Sequence, residues 1–479
     1  MRLATKTATA LRWSAISQLL RQGVQLITTF ALARLLSPAD FGLLGMALVI
    51  IGFVSLFRDL GTSSAVIRSR RRDNELLSTV FWLNLTLGLI ITIVLVLSAP
   101  AVAAFYHEPR VTAVIQVLAF SLIVSSFGLL QQALLERELA FQTLAKVEAL
   151  SVTLGAAVGI GLAAAGYGVW SLVFQTLAQT TAWSLLLWAV GKWRPGFTFR
   201  LREVRYVSGI GLNLTGFNTV NYFFRNIDSL LVGRYLGSNN LGFYSMAYRV
   251  MFFPLQAISD VMGRVMFPVY AHLQDDDTRL RRYYLKSAGA IAFVTFPMML
   301  GLMVVAEPFV VALFGEKWRS IIPLLQILAP VGMIQSVGTT VGAIYVVRGR
   351  TDLMLRWGLI AAMVVTAAVV IGLGWGVQGV ALSYAIAAFI LAYPGFVIPF
   401  RLIGLAFTEL VAVIFRPLLN SMLMATIMLA VRGLLPSDTG AIFSLIASIL
   451  VGTCVYVLLS RWLNHAQWRE IVAALRQRN

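Results

Sequence analysis

The sequence predicts an all-α polytopic membrane protein with fourteen transmembrane helices, arranged as two parallel six-helix repeats plus two C-terminal helices. Three observations support this fold class: the composition, the distribution of charge and an internal repeat. Of the 479 residues, 59% are hydrophobic and 12% are charged, whereas soluble proteins contain about 25% charged residues. Apolar stretches long enough to cross a bilayer therefore dominate the chain.

Each predicted span has roughly 20 mostly apolar residues, the length that crosses a bilayer. The first span resembles a secretory signal peptide in its basic start, but Gln18, Arg21 and Gln25 interrupt it, and a signal peptide has a short uninterrupted apolar run. We therefore predict a first transmembrane helix there. The spans lie at about 12–33, 41–62, 77–98, 112–133, 146–165, 168–190, 208–231, 243–265, 285–306, 321–345, 357–374, 378–398, 411–433 and 441–460.

Lys and Arg residues concentrate on one side of the predicted membrane. With the N-terminus in the cytoplasm, 26 of the 38 fall in cytoplasmic segments and 6 on the other side. This excess is the positive-inside pattern, so we expect a multi-pass protein of the cell inner membrane with both termini cytoplasmic. The same loops explain the net charge of +18, which therefore does not indicate nucleic-acid binding.

Helices 1–6 and 7–12 are predicted to be two copies of one unit. Residues 33–47 align without a gap with residues 233–247, and two later segment pairs match in the same order. Because each copy has an even number of helices, the copies are parallel and related by an axis along the membrane normal. The matching positions include Arg34/Arg234, Gly42/Gly242, Met46/Met246, Pro100/Pro308, Glu108/Glu316 and Gly168/Gly379.

This repeat predicts three domains. An N-lobe at 1–195 holds helices 1–6, and a C-lobe at 196–405 holds helices 7–12. Helices 13 and 14 and a cytoplasmic tail follow at 406–479. Because both lobes lie in one chain, we expect a monomer.

Polar residues lie at helical spacing in the first helix of each copy. Positions i, i+3, i+4 and i+7 share one helix face, and a charge at the bilayer centre costs roughly 2.5–3.5 kcal/mol. Such residues therefore usually face a hydrated cavity. The candidate substrate-binding residues are Gln18, Arg21, Gln22 and Gln25 on helix 1, Asn218, Asn221, Arg225 and Asp228 on helix 7, and Arg249 on helix 8.

An arginine-rich cavity favours an anionic ligand such as a phosphate or pyrophosphate, because the guanidinium group matches the geometry of these oxyanions. Two alternatives stay open at this stage. The polar residues could be satisfied within each helix bundle, and Arg225 could pair with Asp228 one turn away.

Several other chemistries find no support in the sequence. There is no GxxxxGK[ST] motif for nucleotide binding. The histidines, His107, His272 and His465, are far apart in the chain and form no metal-ligand pattern. No nucleophile and base pair stands out, so we expect neither catalytic residues nor a metal site nor an enzymatic activity. The single cysteine, Cys454, can form no intrachain disulfide.

Five segments spread over helices 1 to 12 carry a family resemblance. They are ARLLSPADFGLLGMA at 33–47, RDLGTSSAVI at 58–67, GYGVWSLV at 166–173, NIDSLLVGRYLGSNNLGFYSMAYR at 226–249 and FPVYAHLQDD at 267–276. Together they resemble the Wzx-type polysaccharide exporters of the multidrug/oligosaccharidyl-lipid/polysaccharide (MOP) superfamily. The similar branch is the one linked to colanic-acid, teichuronic-acid and lipopolysaccharide biosynthesis.

The resemblance implies a two-lobed flippase that moves undecaprenyl-diphosphate-linked oligosaccharide outward across the inner membrane by alternating access. It also implies an ion gradient, H⁺ or Na⁺, as the driving force and no other cofactor. The expected partners are the lipid-linked oligosaccharide, the bilayer, and a polysaccharide polymerase and glycosyltransferases. The alternative is a multidrug/organic cation antiporter of the same superfamily, which would favour membrane carboxylates that helix 1 does not contain.

Replacing Arg21 tests the predicted cavity. We expect Arg21→Ala to abolish export while the protein still inserts, because the variant loses the cationic group in the middle of helix 1. Arg21→Lys keeps the charge and should retain part of the export. Export would be measured in cells with membrane insertion checked by immunoblotting, and normal export by Arg21→Ala would contradict the cavity assignment.

Overall fold

A computed structural model describes residues 22–59, 62, 66–67, 73–434, 436 and 439–463, with some side chains between 201 and 265 not described. All regular secondary structure in these residues is helical, which confirms the predicted all-α fold class. The helices, labelled in chain order, are α1 (22–35 of the described residues), α2 (Pro38–Asp59), α3 (Asn74–Tyr106), α4 (Arg110–Arg137), α5 (Phe141–Ala164), α6 (Val169–Val190), α7 and α8 (the parts of Leu201–His272 before and after Gly237), α9 (Asp277–Leu313), α10 (Ile321–Gly338), α11 (Thr351–Gly372), α12 (Gly376–Arg401), α13 (Phe407–Leu434) and α14 (Ala441–Leu463).

The surface of these helices is apolar, as a bilayer requires. Within the described residues, nine helical segments are long and apolar enough to cross a membrane. Large apolar side chains such as Leu97, Leu185 and Ile390 are at least 65% exposed. Exposing so many apolar side chains is unfavourable in water but not in lipid. The chain is therefore a multi-pass membrane protein. The number of crossings stays a prediction of fourteen.

The chain divides by its contacts into two compact units, one up to Gly242 and one from Phe243 onward. In the first unit, α4 packs against α2, α3 and α6, and α5 packs against α6. In the second unit, α10 packs against α9 and α12, and α11 packs against α12. The domain boundaries that the repeat predicts, near 195 and 405, stay a prediction.

The helix packing supports the internal repeat. The α3–α4, α4–α6 and α5–α6 pairs of the first six helices recur as the α9–α10, α10–α12 and α11–α12 pairs of the next six. The repeat-related residues His107 and Gly315 also both adopt the left-handed conformation just after α3 and α9, with φ of 54° and 92°. Helices α13 and α14 pack on each other and on α9, outside this shared pattern.

Each copy has a turn between its first and second helices, and the two turns are built by different residues. Between α1 and α2, the backbone N–H of Ser37 donates to the Asp40 carboxylate at 2.9 Å, and the Asp40 N–H donates to Ser37 Oγ at 3.3 Å. This is a capping box that starts α2. Between α7 and α8, Gly237 has φ 82°, a conformation that favours glycine because it has no Cβ.

Two repeat-related glycines bring the starts of α2 and α8 into backbone contact. A Cβ on Gly42 would overlap the backbone carbonyl of Ser238, and a Cβ on Gly242 would overlap the carbonyl of Pro38. The contact is reciprocal, since Pro38 and Ser238 are themselves related by the repeat. Small residues let transmembrane helices approach this closely.

Gly42→Ala tests this contact, with Gly45→Ala as the matched control one turn later on the same helix. The Gly42 variant should lose about 1–3 kcal/mol of stability, because its methyl group meets rigid backbone. At Gly45 a Cβ would meet only the Leu241 side chain, at 3.4 Å, so that variant should be neutral. Thermal unfolding of the detergent-solubilised protein would compare them, and equal midpoints would contradict the contact.

Candidate functional site

The rotation of α7 in the first unit is set by Tyr222. Its hydroxyl donates to the backbone carbonyl of Val49 on α2 at 3.1 Å, and its ring lies 6.4 Å from that of Phe53. Gly52 makes room for it, because a Cβ there would overlap the Tyr222 hydroxyl. One side of α7 is thereby held against α2.

The predicted polar residues of α7 lie on a different side. At 100° per residue, Asn221, Arg225 and Asp228 cluster about 90° away from Tyr222. Asn221 and Arg225 are exposed and Asp228 is half-buried. They therefore share one face that is not packed against α2, as the spacing predicts. We call these three residues the α7 polar face.

The α7 polar face carries an arginine that has no acidic partner among the described residues. Asp228 accepts the backbone N–H of Ser229 at 2.7 Å. Within the part of the chain that the structure describes, Arg225 makes no hydrogen bond or ion pair. The alternative in which Arg225 pairs with Asp228 is therefore not what the structure contains. An exposed guanidinium in an apolar helix is a suitable donor for an oxyanion.

The remaining candidates are described only in part. Gln22 is half-buried and Gln25 is exposed on α1, and Arg249 is exposed on α8 in the second unit. Arg249, like Arg225, has no hydrogen-bonding or ionic partner among the described residues. Gln18 and Arg21 lie outside the described residues, and so does the side chain of Asn218. The assignment of these nine residues to one substrate site stays a prediction.

Polar contacts between α2, α3 and α4 were not predicted from the sequence. Arg58 at the end of α2 donates to Ser125 Oγ on α4. Thr62 donates to the buried Asn84 on α3 at 2.9 Å. Asn84 and Ser125 are polar residues inside predicted spans, and this was the sequence feature that could have indicated polar contacts between these helices. These contacts hold the first unit together at its polar positions.

The second unit has an aromatic cluster beside Arg249. The rings of Tyr248 and Phe252 stack at 5.7 Å, and Tyr248 meets Tyr384 edge-on at 6.3 Å. Gln335 donates to the Tyr384 hydroxyl at 2.7 Å, and its own carbonyl oxygen is buried without a hydrogen bond to any described residue. Aromatic faces and amide groups are the side chains that suit a sugar, which has apolar C–H faces and many hydroxyls.

An apolar cavity of about 440 Å³ lies between α9, α13 and α14. Its lining includes Pro297, Gly301, Met424, Met428 and Gly452. Small residues open the space, and methionine side chains adapt to irregular apolar ligands. The Tyr456 hydroxyl at its edge is already satisfied, because it donates to the Phe293 carbonyl at 2.7 Å. The cavity therefore suits a hydrocarbon chain.

No group of three or more metal-binding side chains occurs among the residues that the structure describes. The chemistry that these residues offer is recognition: guanidinium groups for an oxyanion, aromatic rings for a sugar and an apolar cavity for a hydrocarbon. With the repeated helix packing, these features define a polytopic helical membrane protein whose side chains suit ligand recognition.

The chain belongs to the polysaccharide biosynthesis protein family, whose model matches residues 31–323. It is 31% identical over 374 residues to the lipopolysaccharide biosynthesis protein WzxC of Escherichia coli K12, covering 78% of this chain and 76% of that protein. It is 28% identical to the succinoglycan biosynthesis transport protein ExoT of Rhizobium meliloti, covering 97% of this chain and 95% of that protein. The family resemblance predicted from the sequence is thus confirmed.

Solved structures share the fold. A structure of the lipid II flippase MurJ in an inward closed conformation superposes with a TM-score of 0.74 at 16% identity, covering 96% of this chain and 99% of that one. This likeness shows that the chain shares the all-helical membrane fold of that protein.

Arg225→Ala tests the α7 polar face, with Arg202→Ala as the matched control. Both residues are exposed on the same helical segment, but Arg202 lies outside the polar face. Losing one charge-assisted hydrogen bond to the transported anion should lower the rate of export by about tenfold or more, and Arg225→Lys should recover part of it. Export would be followed at matched expression, and an equal effect of both alanine variants would reject a specific role for Arg225.

Proposed function

We propose that this protein is a flippase that moves undecaprenyl-diphosphate-linked oligosaccharide repeat units across the inner membrane for surface polysaccharide biosynthesis. The observation that carries the proposal is its membership of the polysaccharide biosynthesis family over most of both lobes. Relatives of nearly full length include a protein named for polysaccharide transport. A chain of membrane helices without a catalytic constellation among its described residues fits transport of such a precursor.

The described side chains support each part of this substrate. Arg225 in the first unit and Arg249 in the second each offer a guanidinium group for a diphosphate, and neither has an acidic partner among the described residues. The sugars would meet the aromatic cluster of Tyr248, Phe252 and Tyr384. The polyprenyl chain would lie in the apolar cavity between α9, α13 and α14. Arg21 would add a further cation from helix 1.

Transport would occur by alternating access driven by a gradient of H⁺ or Na⁺. A cation gradient can drive the change between the inward-facing and outward-facing states only if the two states bind the cation with different affinities. The excess of Lys and Arg on one side supports a cytoplasmic location for both termini. A polysaccharide polymerase and glycosyltransferases are the proposed partners, and a monomer is the proposed functional unit.

Purified protein in liposomes tests the function directly. The assay would follow movement of a polyprenyl-diphosphate-linked oligosaccharide and, in parallel vesicles, efflux of a cationic dye. Each would be run without a gradient, with a pH gradient and with a Na⁺ gradient. We expect glycolipid movement without dye efflux, and loss of that movement in Arg225→Ala but not in Arg202→Ala.

Dye efflux without glycolipid movement would instead identify a cation antiporter of the same fold. Movement of the glycolipid at the same rate in protein-free liposomes would remove the proposal altogether. If only one of the two gradients, pH or Na⁺, changes the rate of glycolipid movement, the ion of that gradient is the coupling ion.

A further inference from the structure

A polar cavity of about 300 Å³ lies in the second unit, where the ends of α9 and α13 meet the start of α14. It shares no lining residue with the apolar cavity between the same helices, and it has no part in the proposed transport path. We call it the polar cavity. Its polar lining residues are Glu307, Arg319, Arg432, Thr439 and Ser444.

Glu307 on α9 joins two arginines at the polar cavity. It accepts a hydrogen bond from Arg319 Nη1 at 3.2 Å and pairs with Arg432 on α13. Arg432 also donates to the Val304 carbonyl at 2.9 Å, and Arg319 pairs with Glu316. The network of two guanidinium groups and two carboxylates therefore has no net charge.

The first copy of the repeat does not have this network. By the alignment that pairs Pro100 with Pro308, Glu307 corresponds to Ala99, which is fully buried. Arg432 lies on α13, which has no counterpart in the first copy. The helix packing that the two copies share therefore does not require these charges.

The network leaves hydrogen-bonding groups available to a ligand. A guanidinium group has five N–H donors, and Arg319 and Arg432 each use at most three of them on described residues. About half of the Arg319 and Glu307 side chains is exposed, and each carboxylate oxygen can accept more than one hydrogen bond. The Ser444 hydroxyl makes no hydrogen bond within the described part of the chain. The cavity thus offers donors and acceptors side by side.

The helix turns that line the polar cavity also carry exposed apolar side chains. Leu434, two residues after Arg432, is 84% exposed. Ile442 and Phe443, directly before Ser444, are 62% and 60% exposed. Such exposure is favourable in lipid and unfavourable in water. The polar cavity therefore lies at the level where bilayer hydrocarbon meets the headgroups, and a ligand that enters it from the bilayer has an apolar body.

The balanced charge selects among possible headgroups. A net anion or a net cation finds as much repulsion as attraction in this network, whereas a zwitterion can place each of its charges beside an opposite one. A phosphate suits the arginine N–H groups, and a primary ammonium with three N–H donors suits a carboxylate. A sugar is less suitable, because none of the described lining residues has an aromatic ring on which it could stack.

From these contacts we infer that the polar cavity binds the headgroup of a zwitterionic phospholipid with a primary amine, of the phosphatidylethanolamine type. The phosphate accepts hydrogen bonds from Arg319, Arg432 and Ser444, and the ammonium donates to Glu307. The acyl chains lie against the exposed apolar side chains of the same turns. Because the cavity is on the predicted face with few Lys and Arg, the lipid belongs to the outer leaflet. The site does not depend on the proposed transport function.

Lipid binding to the full-length wild-type protein in detergent tests the headgroup chemistry without any variant. The probes are phosphatidylethanolamine, its N,N-dimethyl derivative, phosphatidylcholine and phosphatidylglycerol, all with the same acyl chains, and binding is measured by native mass spectrometry. Each added methyl group removes an N–H that Glu307 could accept. We expect the affinity to fall from the ethanolamine to the choline lipid by about tenfold or more.

Three results with the wild-type protein would overturn the inference. Phosphatidylcholine that binds as tightly as phosphatidylethanolamine would remove the role of the ammonium. Phosphatidylglycerol that binds as tightly would remove the argument from balanced charge. Soluble phosphoethanolamine that binds as tightly would show that the acyl chains contribute nothing.

Glu307→Gln assigns the headgroup to the polar cavity. This change removes the carboxylate charge but keeps the size of the side chain, so the preference for phosphatidylethanolamine over phosphatidylcholine should disappear. The matched control is Glu138→Gln, which removes an exposed carboxylate outside the cavity and should keep the preference. A preference that survives in Glu307→Gln would reject the site.

Ser444→Ala covers the case in which Glu307→Gln fails to fold, because it leaves every ion pair in place. Losing a donor to the phosphate should weaken the binding of phosphatidylethanolamine and phosphatidylcholine by a similar factor, about threefold to tenfold. The thermal unfolding midpoint without lipid should stay that of the wild type. Unchanged affinity for phosphatidylethanolamine in Ser444→Ala would contradict the placement of the phosphate.

Discussion

Backbone contacts made possible by glycine determine where α7 and the start of α8 lie in the first unit. Gly42 and Gly242 allow the starts of α2 and α8 to touch through their main chains, and Gly52 accepts the Tyr222 side chain. Apolar side chains cannot drive such close packing in lipid, because lipid is equally apolar. Shape complementarity and hydrogen bonding determine instead how closely these helices pack. The direction in which Arg225 points is a consequence of these three contacts.

This dependence connects the packing to the function. A rotation of α7 by one residue, about 100°, would turn its polar face toward α2 and bury a guanidinium there. The hydrogen bond from Tyr222 to the Val49 carbonyl opposes such a rotation. The exposure of Arg225 is therefore maintained by neutral residues that pack α7 against α2.

Periodic properties of the chain could be predicted from the sequence, and pairwise contacts could not. The spans, the repeat and the α7 polar face all follow from spacing, so they can be recognised in the sequence itself. The bond from Arg58 to Ser125 joins residues 67 positions apart and depends on the rotations of two helices. The absence of an Arg225–Asp228 pair within the described residues is a similar case, because spacing permits the pair without requiring it.

The partners of the basic loop residues also could not be predicted from the sequence. Counting Lys and Arg predicts which side of the membrane they occupy but treats every basic residue alike. The structure separates Arg281, whose Nε donates to the Ile403 carbonyl at 2.5 Å, and Arg348, paired with Asp277, from Arg282, which has no hydrogen-bonding or ionic partner among the described residues. A basic loop thus contains arginines that the protein itself engages and arginines that it does not, and only the structure tells them apart.

The two turns between paired helices bear on how the halves diverged. Ser37 and Asp40 build the first turn with side-chain hydrogen bonds, while the second combines the positive φ of Gly237 with a hydrogen bond from the Asn240 side chain to the Leu236 carbonyl at 2.8 Å. If the halves arose by duplication of an ancestral gene, each kept a turn at this position while the residues that build it changed. Conservation in this lineage should then be strong at Gly42 and Gly242, where a Cβ would overlap backbone atoms, and at Gly237, whose φ favours glycine, and weaker at position 37.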